Sequence, residues 1–356
     1  MPATTALDHY RLLGRSGMRI SPLALGTMTF GADWGWGADE AEARQIFDTY
    51  VDHGGNLIDT AVNYTNGASE RILGQFLKGK RDRLVVSTKF TMARDPSDPN
   101  SGGNHRMNLM RSVETSLKQL DTDRIELLYL HAWDFTTGAE EVMRTLDDLV
   151  RSGKVLYLGI CNTPAWKVAE LQTLAALRGW SPLVALQIEY SLVERSVEHE
   201  LMPMAHAMGL GVLPWSPLGG GILTGKYTRE DLSQASEASV SATRKGVISS
   251  SGHMNERSLH IASVVAAVAE QVGATPSQVA LAWTLLNPAV AAPVMGARTL
   301  AQARDNLGAL GLQLADEHIA QLNQASAPEP IFPGRFVSRP MVQQLIFGGA
   351  QLQRRV

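Results

Sequence analysis

Short apolar runs alternate with amphipathic stretches eight times between residues 23 and 310, and this alternation leaves few folds open to the chain. The apolar runs fall at 23–25, 57–59, 84–88, 125–130, 155–160, 183–188, 212–214 and 291–295. They are short and mostly apolar, as parallel strands covered on both faces are. Between them, apolar residues recur at helical spacing; in 39–52 they are Ala43, Ile46, Phe47, Tyr50 and Val51. The same pattern predicts helices over 69–78, 107–120, 140–152, 164–177, 197–208, 257–271 and 300–310, with an additional one at 276–286. Gly54, Gly153 and Gly209 stop three of them, and Pro164 suits a first helical turn. Repeated strand–helix units in one chain predict an α/β fold closed into a (β/α)8, or TIM, barrel.

An open doubly wound sheet is the structural rival. It wants a G-x-G-x-x-G turn after its first strand, and Gly26-Thr27-Met28-Thr29-Phe30-Gly31 lacks that spacing. Such a barrel runs as one domain at this chain's 356 residues. The expectation is therefore a single domain with a core over about 10–324 and a tail over 325–356. Runs at 10–13 and 18–20 flank Gly14-Arg15-Ser16-Gly17, which predicts an N-terminal β-hairpin. Two stretches break the regularity. One is the long loop 216–255, which opens on Gly219-Gly220-Gly221 and then turns rich in Ser and Ala. The other is the tail from Ala327, with four prolines and too few periodic apolar residues for another layer. It is expected to wrap the barrel or close over its mouth.

In barrels of this kind, active sites form at the carboxyl ends of the strands. Asp59, Tyr64, Lys89 and His131 fall at three such ends or just beyond them. Together they can deliver a proton to a carbonyl oxygen that is receiving a hydride. A phenol is a weak acid, and a nearby ammonium favours its ionised form. Lys89 supplies that ammonium, Asp59 holds it charged and aimed, and His131 orients the carbonyl. Singly, each residue has a plainer reading: a cap for Asp59, loop packing for Tyr64, a solvated Lys89, a satisfied buried His131.

These residues carry a resemblance. Gly26-Thr27, Asp59-Thr60-Ala61 with Tyr64, Thr88-Lys89, Leu130-His131 with Asp134, and Gly153-Lys154 are shared motifs. So are Gly159-Ile160-Cys161-Asn162, Gln187 with Tyr190, Trp215-Ser216-Pro217-Leu218, Gly225-Lys226, and Gly296-Ala297-Arg298 with Gln302, Asp305 and Asn306. Over about 10–324 the chain resembles the aldo-keto reductase superfamily. The resemblance implies Tyr64 as general acid, helped by Lys89, Asp59 and His131. It implies NADPH lying extended across the barrel mouth, with Thr27, Met28 and Asp59 along its path. Asn162 and Gln187 would hold the carboxamide, and Tyr190 or Trp215 would flank the nicotinamide ring. Ser216, Pro217, Leu218, Gly220 and Lys226 would line the pyrophosphate path, where glycines let backbone N–H groups approach closely. The stretch from Gly296 opens the last helix, whose N-terminus favours an anion. Arg298 there offers a guanidinium that suits the 2′-phosphate, with Gln302, Asp305 and Asn306 facing the adenosine. Two departures are mild: Cys161 stands where serine is common, and Met28 where many members carry tryptophan.

Phe30, Trp34 and Trp36 follow the first strand and Trp133 follows His131. They are expected to wall a pocket for a bulky or aromatic carbonyl substrate. A net charge of −3 without a basic run argues against wholesale nucleic-acid binding. The one cysteine leaves no disulfide framework and points to a reducing compartment. With no apolar run long enough to span a bilayer, a cytoplasmic protein with no membrane partner is expected, and no metal site is assigned. A homo-oligomer stays open. Two other functions remain in view. One is an NADPH-binding, redox-sensing auxiliary subunit with little turnover. The other is a cofactor-independent lyase or isomerase using Lys89 as a Schiff-base nucleophile.

Overall fold

Every barrel strand alternates a side chain that faces the barrel axis with one that faces the helices, and this two-residue period aims the residues at the strand ends. The computed structural model describes residues 6–235 and 252–350. A two-stranded antiparallel hairpin, β1 (Arg11–Leu12) and β2 (Arg19–Ile20), precedes the barrel. The barrel strands are β3 (Ala24–Gly26), β4 (Leu57–Asp59), β5 (Val85–Phe90), β6 (Ile125–Leu130), β7 (Val155–Cys161), β8 (Leu183–Glu189), β9 (Gly211–Trp215) and β10 (Val294–Gly296). All eight pair in parallel, in the order β10-β3-β4-β5-β6-β7-β8-β9. The ring closes through Val290, which pairs with Val212 while β10 pairs with β3.

The inner layer holds Ala24, Leu57, Val85, Leu127, Tyr129, Cys161, Ala185 and Leu213. The alternate residues Leu25, Ile58, Val86, Leu128, Ile160 and Leu186 pack outward under the helices. Leu13, Met18 and Ile20 of the hairpin join the inner layer, so the hairpin plugs the barrel floor. Gly14 makes that plug possible. Its φ is +54°, and a Cβ there would lie 2.4 Å from the Val184 carbonyl oxygen.

The helices follow the expected alternation closely, and their caps show why they start where they do. Asp39 caps Glu40–Asp52 by accepting from the Glu42 N–H at 2.9 Å. Thr275 and Gln278 form a reciprocal capping box on Pro276–Leu285. Three expectations need correction. The helix placed at 197–208 is a 3-10 turn, Ser196–Glu198, followed by a shorter helix, Leu201–Met208. The helix placed at 300–310 ends at Leu307 and continues as a 3-10 turn, Gly308–Gly311. A further helix, Asp316–Ser326, packs against Glu256–Val272, where apolar spacing had not signalled one.

The tail expected to wrap the barrel or close its mouth leaves most of its own surface exposed. It forms two short helices, Gly334–Val337 and Pro340–Phe347, with residues 331–341 exposed throughout. Most of the Ser- and Ala-rich part of the loop 216–255, residues 236–251, lies outside the described residues. Among the described residues, no helix is long and apolar enough to cross a membrane, and no cluster of potential metal ligands forms.

Candidate active site

The two-residue period carries the apolar inner layer into polar residues at the carboxyl ends. Asp59 stands two residues after Leu57, His131 two after Tyr129, and Gln187 two after Ala185. Lys89 stands four after Val85, on the same face of its strand. The ends meet. The Lys89 ammonium donates to Asp59 Oδ2 at 2.5 Å, to the Thr60 carbonyl at 2.8 Å and to the Tyr64 hydroxyl at 3.2 Å. Asp59 Oδ1 accepts from Ser87 and from Gln187 Nε2, each at 2.9 Å. Both carboxylate oxygens are therefore occupied, and Asp59 cannot turn away from Lys89. Since the Tyr64 oxygen accepts from Lys89, its own proton is left to point elsewhere. The rings of Tyr64 and His131 meet edge to face at 5.9 Å.

Tyr64, Asp59 and His131 form the floor of a cavity of about 590 Å³ at the barrel mouth. Met28, Asn162, Gln187, Trp215, Ser216, Pro217, Leu218, Gly220 and Lys226 line one part of it, and Gly296, Arg298, Gln302, Asp305 and Asn306 another. The cavity is thus elongated along the rim from β7 round to β10. The backbone at its edge is specialised: Asn162 and Ser216 have φ of +43° and +49°, and Gly220 and Gly221 have φ of +67° and +108°. Asn162 is fixed by donating to the His131 carbonyl at 2.9 Å and accepting from the Trp215 indole at 3.0 Å.

Known proteins resemble this chain over most of its length. The model of the Aldo/keto reductase family matches residues 22–327. The chain belongs to the aldo/keto reductase family. Norsolorinic acid reductase A of Aspergillus parasiticus is 37% identical over 94% of this chain and 85% of its own. An uncharacterized oxidoreductase of Bacillus subtilis is 38% identical over 92% of this chain and 96% of its own. An aryl-alcohol dehydrogenase of Pestalotiopsis microspora is 34% identical over 94% and 87%. Membership makes this an oxidoreductase barrel, and the family works with a nicotinamide cofactor.

The cavity suits such a group. Its rim offers the positive-φ glycines Gly220 and Gly221, at +67° and +108°, where a side chain would be strained and the backbone is open to close approach. Arg298 lies just ahead of the helix Leu300–Leu307, whose first turn Thr299 caps.

Several assigned residues stand elsewhere. Tyr190 does not line the cavity. Its ring packs on Trp283 at 5.4 Å and its hydroxyl reaches Glu198 and Asn287, so only Trp215 of the two candidates faces the mouth. Thr27 is buried beneath the rim, bonded to the Asp59 carbonyl and Ser69. Phe30 turns inward and packs on Phe76 under its loop, because it is the apolar anchor that the glycine-rich loop needs. Trp133 is buried with the Lys167 ammonium over its ring. Trp34 and Trp36 remain half-exposed above the mouth, with Trp34 edge-on to Tyr64 at 6.4 Å.

Several cavity residues escaped sequence reasoning, among them the paired Glu189 and His253. Glu189 lies two residues beyond Gln187, so the strand period alone signals it. It bonds His253 Nε2 at 2.7 Å, and that partner, 64 residues away, has no local signal.

Burial pushes the Tyr64 phenol above its usual pKa, and the Lys89 ammonium only partly offsets this. The expected lowering is therefore corrected, because desolvation outweighs the neighbouring charge. The consequence is a phenol that keeps its proton at neutral pH. Burial opposes charge on Lys89 too, but Asp59 and Tyr64 outweigh it and hold the ammonium above its usual value.

Burial, with Lys89 adding to it, drops His131 to about 3 from the usual 6.5. The ring is neutral, and its Nδ1 is buried without a hydrogen-bond partner among the described residues. The unfolded chain takes up this proton near pH 6.5 and the folded chain only near 3. Stability from this group is complete above the upper value and is lost as pH falls towards the lower one. A His131→Asn variant should lose less stability than the parent across that window, measured as the shift of the urea midpoint. Equal acid sensitivity in both would count against a neutral His131.

Proposed function

We propose that the chain is an NADPH-dependent carbonyl reductase, with Tyr64 as the proton donor and aryl aldehydes or ketones as substrates. The observation that carries this is the Asp59–Lys89–Tyr64 chain of hydrogen bonds beneath the cavity, with the 3.2 Å contact that leaves the phenol proton free for a substrate oxygen. A nicotinamide bound against Trp215 would supply the hydride. Asn162 and Gln187, both lining the cavity, would hold its carboxamide. Neutral His131 offers a hydrogen bond to the carbonyl and turns it towards Tyr64. Trp34 and Trp36, tilted at 48° to each other with Trp34 edge-on to Tyr64, would supply apolar surface for the substrate beside the phenol. The names of the relatives, a norsolorinic acid reductase and an aryl-alcohol dehydrogenase, point to the same aromatic class. The barrel is one catalytic unit, and its single buried cysteine agrees with a cytoplasmic setting.

A panel of aliphatic aldehydes, aryl aldehydes and polycyclic ketones, with NADPH consumption followed, tests this directly. Steady turnover that is fastest on the aryl compounds is expected. A single oxidation of bound NADPH with no steady rate would point to a redox sensor instead. The buried ion pair with Asp59 counts against Lys89 as a Schiff-base nucleophile, since the ammonium must lose its proton to react.

Arg298 is the residue proposed to select NADPH over NADH. It lines the end of the cavity, and its backbone N–H is tied to Gln302 Oε1 at 2.9 Å, which holds that turn in place. A lost charge-assisted hydrogen bond of about 1.5–3 kcal/mol corresponds to about 10–100-fold. Arg298→Ala should therefore lower kcat/KM with NADPH by that factor and leave NADH little changed. An unchanged NADPH/NADH ratio would remove Arg298 from this role.

A further inference from the structure

Among the described residues, eight of the sixteen exposed large apolar side chains fall in the segment 331–347. Ile331, Phe332, Phe336, Val337, Met341, Leu345, Ile346 and Phe347 are between 41% and 77% exposed. Val342 is the one buried apolar side chain among residues 331–347. The helix Pro340–Phe347 places Met341 and Leu345 one turn apart, at 68% and 77% exposure. A helix with apolar side chains on every face is stable only when covered.

The barrel does not cover it. Among the described residues, the hydrogen bonds of 331–350 run within the segment, such as Gln343 N–H to the Arg339 carbonyl and Ser338 N–H to the Gly334 carbonyl. Its root, by contrast, is tied down: Arg257 donates to the carbonyls of Ser326 and Ala327 at 3.0 and 3.2 Å. An arm fixed at its root and uncovered along its length is the geometry of an element shared between copies.

We propose that residues 331–347 form a homodimer interface, the tail helix of one copy packing against the same helix of a second copy about a two-fold axis. The size fits. The eight side chains expose on the order of 900 Å², close to the ~800 Å² that each partner contributes to a standard interface. A two-fold arrangement needs no complementary patch elsewhere on the barrel, because the same apolar surface serves as both halves. Among the described residues of the tail the charges are Glu329, Arg335 and Arg339, so the apolar stripe of Met341 and Leu345 meets its copy without a described charge at its centre.

The test compares the full chain with a Met341→Lys/Leu345→Glu double variant by sedimentation velocity from low to high micromolar. Both substituted positions are exposed, so folding should be unaffected, and circular dichroism and the thermal midpoint check this. The expected result is a parent species of twice the 38.6 kDa of one chain and a folded double variant at the mass of one chain. A parent that sediments as a single chain at every concentration overturns the proposal. So does a dimer that survives the double substitution. Co-flotation of a single-chain parent with anionic lipid vesicles, lost in the double variant, would assign the surface to a membrane and overturn the dimer.

Discussion

Tyr64→Phe should slow carbonyl reduction by about 10²–10⁴-fold, the range for removing a positioned general acid, while NADPH binds as before. Tyr64 lines the cavity and receives a Lys89 hydrogen bond, as Asp59 does, but of the two only the phenol carries a proton to give. Phenylalanine keeps the ring, its edge contact with His131 at 5.9 Å and its neighbour Trp34. It removes only the proton and the acceptor for Lys89. The ammonium keeps Asp59 and the Thr60 carbonyl, so the site should stay assembled. Cofactor affinity by fluorescence titration and single-turnover hydride transfer by absorbance separate binding from chemistry. A variant that turns over at the parent rate would place the proton donor elsewhere.

Lys89→Met should damage both the fold and the reaction, and the two losses can be separated. The ammonium is fully buried against a carboxylate that is 3% exposed. Removing one partner leaves the other as an uncompensated buried charge, at a cost of about 3–5 kcal/mol. The remaining donors to Asp59, Ser87 and Gln187, offset part of that loss. Asp59→Asn placed on top of Lys89→Met removes the stranded charge. The double variant should recover most of the lost stability, a positive coupling in the cycle. It should recover none of the rate, because Tyr64 still lacks the neighbour that stabilises developing phenolate. Urea midpoints and kcat/KM of the four proteins give both answers. Recovery of rate along with stability would reduce Lys89 to a structural residue.

How far the chain could be read without coordinates depends on the distance over which each feature is encoded. The strand period is local, so Leu57 facing inward already aims Asp59 at the mouth, and Tyr129 aims His131. Helix starts are local as well: Asp39, Thr275 and Thr299 each bond a backbone N–H three residues on. Loop side chains obey no such period. Phe30, Trp34 and Trp36 look alike in the sequence, yet Phe30 is taken by Phe76 and the core while the tryptophans stay at the surface. Tyr190 sits one residue past the end of its strand and is drawn away by Trp283, a contact 93 residues along the chain.

The sequence by itself determined the closed parallel barrel, the hairpin ahead of it and which strand ends carry Asp59, Lys89 and His131, because periodicity and capping act between near neighbours. Only the tertiary structure decided that Tyr64 meets Lys89, that Glu189 is held by His253, that burial outweighs charge at the phenol, and that the apolar side chains of the tail stay exposed. Each of those outcomes is a balance between groups far apart in the chain, and their distances and their shielding from water exist only once the ring of strands has closed.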